Sequence, residues 1–136
     1  MLTRATEARI NLLTAYDATT DTIWADASAM RQVIINLLIN AFQALDPQES
    51  DRRVELRTRS SPGGSVILEI SDNGPGIPAD QRARLFHPFV STKTKGMGLG
   101  LAVCADILHE HKATIIVPDI DRPGATFRIT FPCPPP

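Results

Sequence analysis

The sequence has no surplus of either charge. Lys and Arg total 14 and Asp and Glu total 15, for a formal net charge of −1. A chain so balanced has no global field to draw it to nucleic acid or to an acidic membrane surface. It also has no hydrophobic run long enough for a transmembrane segment. Met1 to Ile10 carries Arg4, Glu7 and Arg9 where a secretory signal needs an apolar stretch. The two cysteines, Cys104 and Cys133, fit no metal-binding spacing, and reduced thiols in the cytoplasm are the plain reading. There is no internal repeat and no heptad run. No Gly-Lys-Ser/Thr occurs, which excludes a Walker A loop. Gly96, Gly98 and Gly100 run G-x-G-x-G and follow no clear strand, so a Rossmann fingerprint fails as well.

What remains is a chain of 136 residues, one domain over 1–136 with its core at about 8–132. The Pro132–Pro136 tail reads as the end of that domain or the start of a linker. Ile10–Tyr16 and Thr22–Trp24 are strand candidates. Asp26-Ala27-Ser28 starts a long helix that Asp46-Pro47 closes. Arg53–Arg59 alternates apolar and charged residues and pairs as a hairpin with Val66–Ser71 across a Pro-Gly-Gly turn. Pro78 opens a short helix ending near Phe86, and His87–Lys95 lacks periodicity and reads as a loop. Leu99–His111 is helical with Leu101, Cys104, Ala105 and Leu108 on one side. Ala113–Val117 and Ala125–Phe131 are the last strands, joined by an Asp-Arg-Pro-Gly turn. Paired strands with interspersed helices predict an α/β two-layer sandwich, a mixed, mostly antiparallel sheet with helices over one face.

Three stretches carry chemistry. Val33–Phe42 is apolar nearly all round, which predicts a largely buried helix, yet it holds Asn36 and Asn40 four residues apart on one face with Gln32 and Gln43 beside them. Buried amides need partners. They either bond neighbouring backbone or face a ligand, where an asparagine oxygen suits Mg²⁺. Asp72-Asn73-Gly74-Pro75-Gly76 follows a strand. It is a turn signal, and its carboxylate is also placed to accept from an exocyclic amine such as that of adenine. Gly96, Gly98 and Gly100 open a helix, either as a hinge or as an N-terminus whose free N–H groups favour phosphate. Between these boxes, Phe86 and Phe89 are placed to pin a loop, and Lys93 and Lys95 are either solvated or at a phosphate. His87 reads as a loop residue, while His109 and His111 read as helix C-terminal caps.

Asn36-(x)3-Asn40-Ala41, Asp72-Asn73-Gly74-Pro75-Gly76-Ile77, Phe86-His87-Pro88-Phe89 and Gly98-Leu99-Gly100-Leu101 together resemble the N, G1, F and G2 boxes of sensor histidine kinases. Phe127-Arg128-Ile129-Thr130-Phe131-Pro132 is similar to that family's closing strand, so the resemblance spans about Asp26 to Pro132. It implies the catalytic, ATP-binding domain with the Bergerat fold, most similar to the nitrogen- and oxygen-sensing subgroup. By that resemblance Asn40 holds Mg²⁺, Asp72 recognises the adenine amine, Gly74 and Gly76 border the base, and Ile77 to Lys95 forms an ATP lid. The nucleotide set it implies is Asn40, Gln43, Asp72, Gly74, Gly76, Ile77, Phe89, Thr92, Lys93, Gly96, Gly98, Leu99, Gly100 and Leu101. Asn36, Asn40, Lys93 and Lys95 would stand at the reacting phosphates. Gln43 replaces a lysine common in the family, so Lys93 or Lys95 would supply that charge. Ala44 stands where many members have an aromatic residue. Lys112-Ala113 replaces a frequent Gly-Gly, a substitution costing roughly 1 kcal/mol if the backbone there is left-handed.

The resemblance also bears on the reaction. Hydrolysing relatives carry a glutamate base where this chain has Asn36, so the site is expected to align ATP for a nucleophile supplied elsewhere. In the family that nucleophile is a histidine on a separate dimerisation domain, which passes the phosphoryl group to a response regulator. None of His87, His109 or His111 lies in a His-Glu-x-x-Asn/Thr-Pro context, so the phosphoacceptor domain is not expected within this chain. A cytoplasmic setting follows, free or as the cytosolic part of a membrane-bound sensor. A serine or other protein kinase of the same fold, or a nucleotide-binding module without transferase activity, are the alternatives.

Overall fold

The computed structural model describes residues 10–18, 23–46, 51–82, 84–86, 97–120 and 122–133. Five strands form one sheet: β1 (Asn11–Tyr16), β2 (Arg53–Ser60), β3 (Val66–Asp72), β4 (Thr114–Ile116) and β5 (Thr126–Phe131), in the spatial order β1-β2-β3-β5-β4. β1 runs parallel to β2 with Asn11 opposite Arg53, and every other neighbouring pair is antiparallel. Helix α1 (Ala27–Leu45), the single turn α2 (Ala79–Arg82) and helix α3 (Met97–Glu110) complete the fold. α1 packs on α3 and on β3, giving the mixed sheet with helices on one face that the sequence predicts.

α1 starts where Asp26 caps it. That residue is extended (φ −74°, ψ 119°), and its carboxylate accepts from the Ser28 N–H at 3.1 Å. Met30, Val33, Leu37, Ala41 and Leu45 then form one buried stripe at helical spacing. Val33–Phe42 is largely buried, as its apolar character predicts, with Ile35, 46% exposed, the one exposed residue of that run; Gln32 and Gln43 beside it face solvent. In a two-layer sandwich a helix has protein on one side only.

β3 is the central strand, and all of its residues except Glu69 are buried. Val66, Leu68 and Ile70 join Phe127, Ile129 and Phe131 of β5 in the core under the helices. Alternation sends Glu69 to the other face. There its carboxylate takes Nε of Arg128 at 2.7 Å and lies 3.6 Å from Nε of Arg59. Burial alone would raise the Glu69 pKa, but the two guanidinium groups outweigh it and hold the carboxyl below its ordinary value.

Three expectations about element bounds shift. Ile23 and Trp24 form no strand: Ile23 packs against the core, Trp24 is 78% exposed, and Thr22 lies outside the described residues. α2 ends at Arg82 rather than near Phe86. Leu85 and Phe86 leave the helix to pack on the core, with Phe86 edge-on to Phe127 at 6.2 Å. α3 begins at Met97, which places Gly98 and Gly100 inside its first turn. At its other end Lys112 is left-handed, with φ 60°, and sits between the N–H bonds Lys112 to His109 (2.9 Å) and Ala113 to Leu108 (2.8 Å). His111 caps as expected, its Nδ1 paired with the Ile107 carbonyl at 2.8 Å. Among the described residues no helix is long and apolar enough to cross a membrane.

Candidate functional site

β3 ends at Asp72, and everything around that residue serves to place its carboxylate. The side chain is buried, and Oδ1 accepts from the N–H of Gly74 at 2.9 Å and from the N–H of Ala125 at 3.4 Å. Burial pushes the Asp72 carboxyl above its ordinary value, while these two N–H groups pull the other way. With Oδ1 fixed, Oδ2 is the atom left to accept from a ligand.

The turn after Asp72 is built for close approach. A Cβ on Gly74 would lie 3.1 Å from both the Ala44 carbonyl and Asp72 Oδ1. Gly76 has φ 81°, and a Cβ there would lie 3.1 Å from the Gly124 carbonyl. Gly74 thus brings the end of α1 against the Asp72 turn. Asn73 ties the same turn to β2: its Oδ1 accepts from the Arg53 N–H at 2.8 Å, and its amide donates to the Asp51 carbonyl.

Asn36, Asn40 and Ala44 follow one another at four-residue intervals, so they share a stripe of α1 that ends at Gly74. At the far end, Asn36 lies within reach of the buried Cys104 thiol of α3, which donates to the Val33 carbonyl at 3.8 Å; burial raises the thiol's pKa and Asn36 lowers it. The stripe therefore runs along the crevice between α1 and α3. Asn40, between them and half-buried, has no partner among the described residues. A half-buried amide without a partner among the described residues, one helical turn from the Ala44–Gly74 contact, suits a hard cation that keeps most of its coordination for water and phosphate oxygens. No cluster of three His, Cys, Asp or Glu side chains suited to a metal occurs among the described residues. A cation here would rest on Asn40 and on the oxygens of its own ligand.

α3 closes the other side of the crevice. Its first turn contains Gly98 and Gly100; a Cβ on Gly100 would meet nothing within 4 Å, and Leu101 is buried beneath. The first-turn N–H groups of a helix have no intrahelical carbonyl to bond, which makes such a start an anion-favouring arrangement. Ile77 is half-buried against the core, while Gln43 is exposed at the rim. His87, Phe89, Thr92, Lys93, Lys95 and Gly96 lie outside the described residues, and so does most of the expected lid.

One residue escapes sequence reading. Gly124, which reads as the last position of a surface turn, has φ 95°, and a Cβ there would sit 1.8 Å from the carbonyl oxygen of Asp72. It lets the β4–β5 connection pass directly beneath the functional carboxylate. Next to it, Ser71 and Thr126 share a buried hydroxyl bond of 2.8 Å, and Arg122 donates to Ser71 Oγ at 3.1 Å. The motif Asp-Arg-Pro-Gly is the only signal in the sequence, and it names a turn without naming its neighbour.

The family described as histidine kinase-, DNA gyrase B-, and HSP90-like ATPase matches residues 25–135. The sensor histidine kinase ZraS of Escherichia coli O157:H7 is 40% identical over 110 residues, covering 81% of this chain and 23% of that protein. The catalytic domain of the histidine kinase ThkA superposes with a TM-score of 0.83 at 27% identity, over 96% of this chain and 84% of ThkA's. Full-length ShkA, solved in complex with AMPPNP, gives a TM-score of 0.78 at 33% identity, over 96% of this chain and 27% of its own. The chain spans between 21% and 38% of the length of the curated relatives AtoS and NtrB. This chain therefore belongs to the histidine kinase-, DNA gyrase B-, and HSP90-like ATPase family, and within it is similar in sequence and fold to the catalytic domains of sensor histidine kinases.

Proposed function

We propose that the chain binds Mg-ATP in the crevice between α1, α3 and the Asp72 turn, and presents its γ-phosphoryl group to a histidine on a separate dimerisation domain. The observation that carries this reading is the Asp72 carboxylate. It is buried, held through Oδ1 by two backbone N–H groups, and left with Oδ2 as an acceptor in a pocket wall. Such an acceptor suits the exocyclic amine of adenine. Gly74 and Gly76 let the Asp72 turn close against the end of α1 and against Gly124, which shapes the border of the base site. The amide oxygen of Asn40 would hold the cation, and Mg²⁺ supplies charge neutralisation between the phosphates. The first turn of α3, with Gly98 and Gly100, would receive the phosphates on free N–H groups. Asn36 is a supporting residue, because its amide lies beside the Cys104 thiol.

Phosphoryl transfer asks the protein mainly for alignment and charge stabilisation, and every group named here does one or the other. No described side chain in the crevice is placed as a base for water. The histidine would come from the dimerisation domain, with a response regulator as the next acceptor. The test is phosphorylation in trans. The chain is mixed with a histidine-bearing dimerisation domain and γ-labelled ATP with Mg²⁺, and acid-labile label is sought on the partner. Label that resists acid on a serine, or no label despite nucleotide binding, would instead support a serine kinase or a regulatory module.

A further inference from the structure

The segment leaving Asp72 has a polar anchor besides the packing of Ile77, Leu85 and Phe86 on the core. After Gly76 the chain passes Ile77 and enters α2, whose four residues include none that is buried. Arg82, the last of them, is that anchor. Its side chain is only 27% exposed, Nε donates to the Ile77 carbonyl at 3.1 Å, and Nη1 lies 3.5 Å from Oδ1 of Asp119. Asp119 belongs to the β4–β5 connection, the same segment that carries Gly124 beneath Asp72. Ile77, Arg82, Arg122 and Thr126 line the seam between them, and the cavity left there is about 30 Å³. That is enough for about one water, so the seam has little slack.

An ion pair with an 86% exposed partner adds little stability. A guanidinium is nonetheless a rigid fork that fixes two acceptors relative to each other. What Arg82 sets is therefore position: the Ile77 carbonyl on one side, the β4–β5 connection on the other.

We propose that Arg82 is a positioning residue for the nucleotide, holding Ile77 and the exit of the Asp72 turn in the geometry that the base requires. This role rests on the nucleotide site proposed above. It differs from a phosphate contact in one respect: its loss should weaken ATP and ADP by the same factor, because both carry the same base.

Calorimetry with Mg-ATP and Mg-ADP tests it on the unaltered chain, Arg82→Met, Arg82→Lys, Asp119→Asn and the Arg82→Met/Asp119→Asn pair. Arg82→Met should lose about five- to tenfold for both nucleotides, with the nucleotide-free melting temperature nearly unchanged. Asp119→Asn should lose about two- to threefold, and the double variant should be no worse than Arg82→Met alone. Arg82→Lys keeps the charge opposite Asp119 without the Nε donor and should fall between. Unchanged affinity in Arg82→Met, or a loss for ATP alone, overturns the role of Arg82 while leaving the site intact. If Arg82→Met fails to fold, Asp119→Asn decides, and unchanged affinity there overturns the proposal. An unaltered chain that binds neither nucleotide overturns the site itself.

Discussion

At Asp72 stability and function pull in opposite directions. Burial raises its folded pKa above the unfolded value, so the folded state binds the proton more tightly. The favourable contribution is present below the unfolded pKa and is lost as pH rises through the folded one. Ionising this carboxyl therefore costs the fold stability. Asp72→Asn keeps an oxygen for the N–H groups of Gly74 and Ala125 but turns a donor toward the ligand. The nucleotide-free melting temperature should therefore rise slightly. ATP affinity should fall at least tenfold, in line with a mismatch of about 1–3 kcal/mol. Equal affinities in calorimetry would remove Asp72 from the base pocket. The two asparagines divide differently. Asn40 has no partner among the described residues, so Asn40→Ala should abolish the Mg²⁺ dependence of ATP affinity and leave the fold intact. Asn36 lies beside the Cys104 thiol, so Asn36→Ala should cost about 1 kcal/mol of stability and keep that dependence. Titrating Mg²⁺ against both variants separates the roles, and the opposite pattern reverses them.

At the scale of elements, the end of α3 holds a removable strain. Lys112 adopts φ 60° where a glycine bears no Cβ penalty. Lys112→Gly should raise stability by about 1 kcal/mol in denaturant unfolding without touching nucleotide affinity. A loss of stability would show that Lys112 makes a contact worth more than the backbone strain. That site, α1 and the β2–β3 hairpin are legible in the sequence because their signals are local: a cap at Asp26, apolar residues at helical spacing, and a Pro-Gly-Gly turn. The asparagine pair and the Asp72 turn are legible for the same reason. Where a signal is not local, sequence reading fails. Gly124 is demanded by the carbonyl of Asp72, far back along the chain, and nothing in Asp-Arg-Pro-Gly records that neighbour. The same holds for the Cys104 thiol, which donates to the Val33 carbonyl and joins two helices. Trp24 is misread for the converse reason. Its extended, apolar local pattern has no strand to pair with, and the side chain stays exposed.

At the scale of the molecule, the crevice proposed to hold a phosphate donor has, among the described residues, no side chain placed to receive the phosphoryl group. In the hydrolysing branch of the superfamily a glutamate stands at the position of Asn36, by the resemblance drawn above. Here that position carries an amide, beside the buried Cys104 thiol of the neighbouring helix. An amide cannot take a proton from water. His111, whose ring could act as a base, is committed elsewhere: Nδ1 pairs with Ile107 and Nε2 accepts from the Asp26 N–H at 3.2 Å, at the N-terminal end of α1. In-line attack requires a nucleophile within about 3–3.5 Å of the phosphorus, and unassisted water in that position reacts slowly. The chain of residues 1–136 should accordingly bind ATP, show negligible turnover and leave itself unlabelled. Adding a histidine-bearing dimerisation domain should yield acid-labile label on that partner, with a rate that saturates as its concentration rises. Rapid ATP hydrolysis by the chain without a partner would show that some group reaches water in the crevice after all, and would move the protein to the hydrolysing branch.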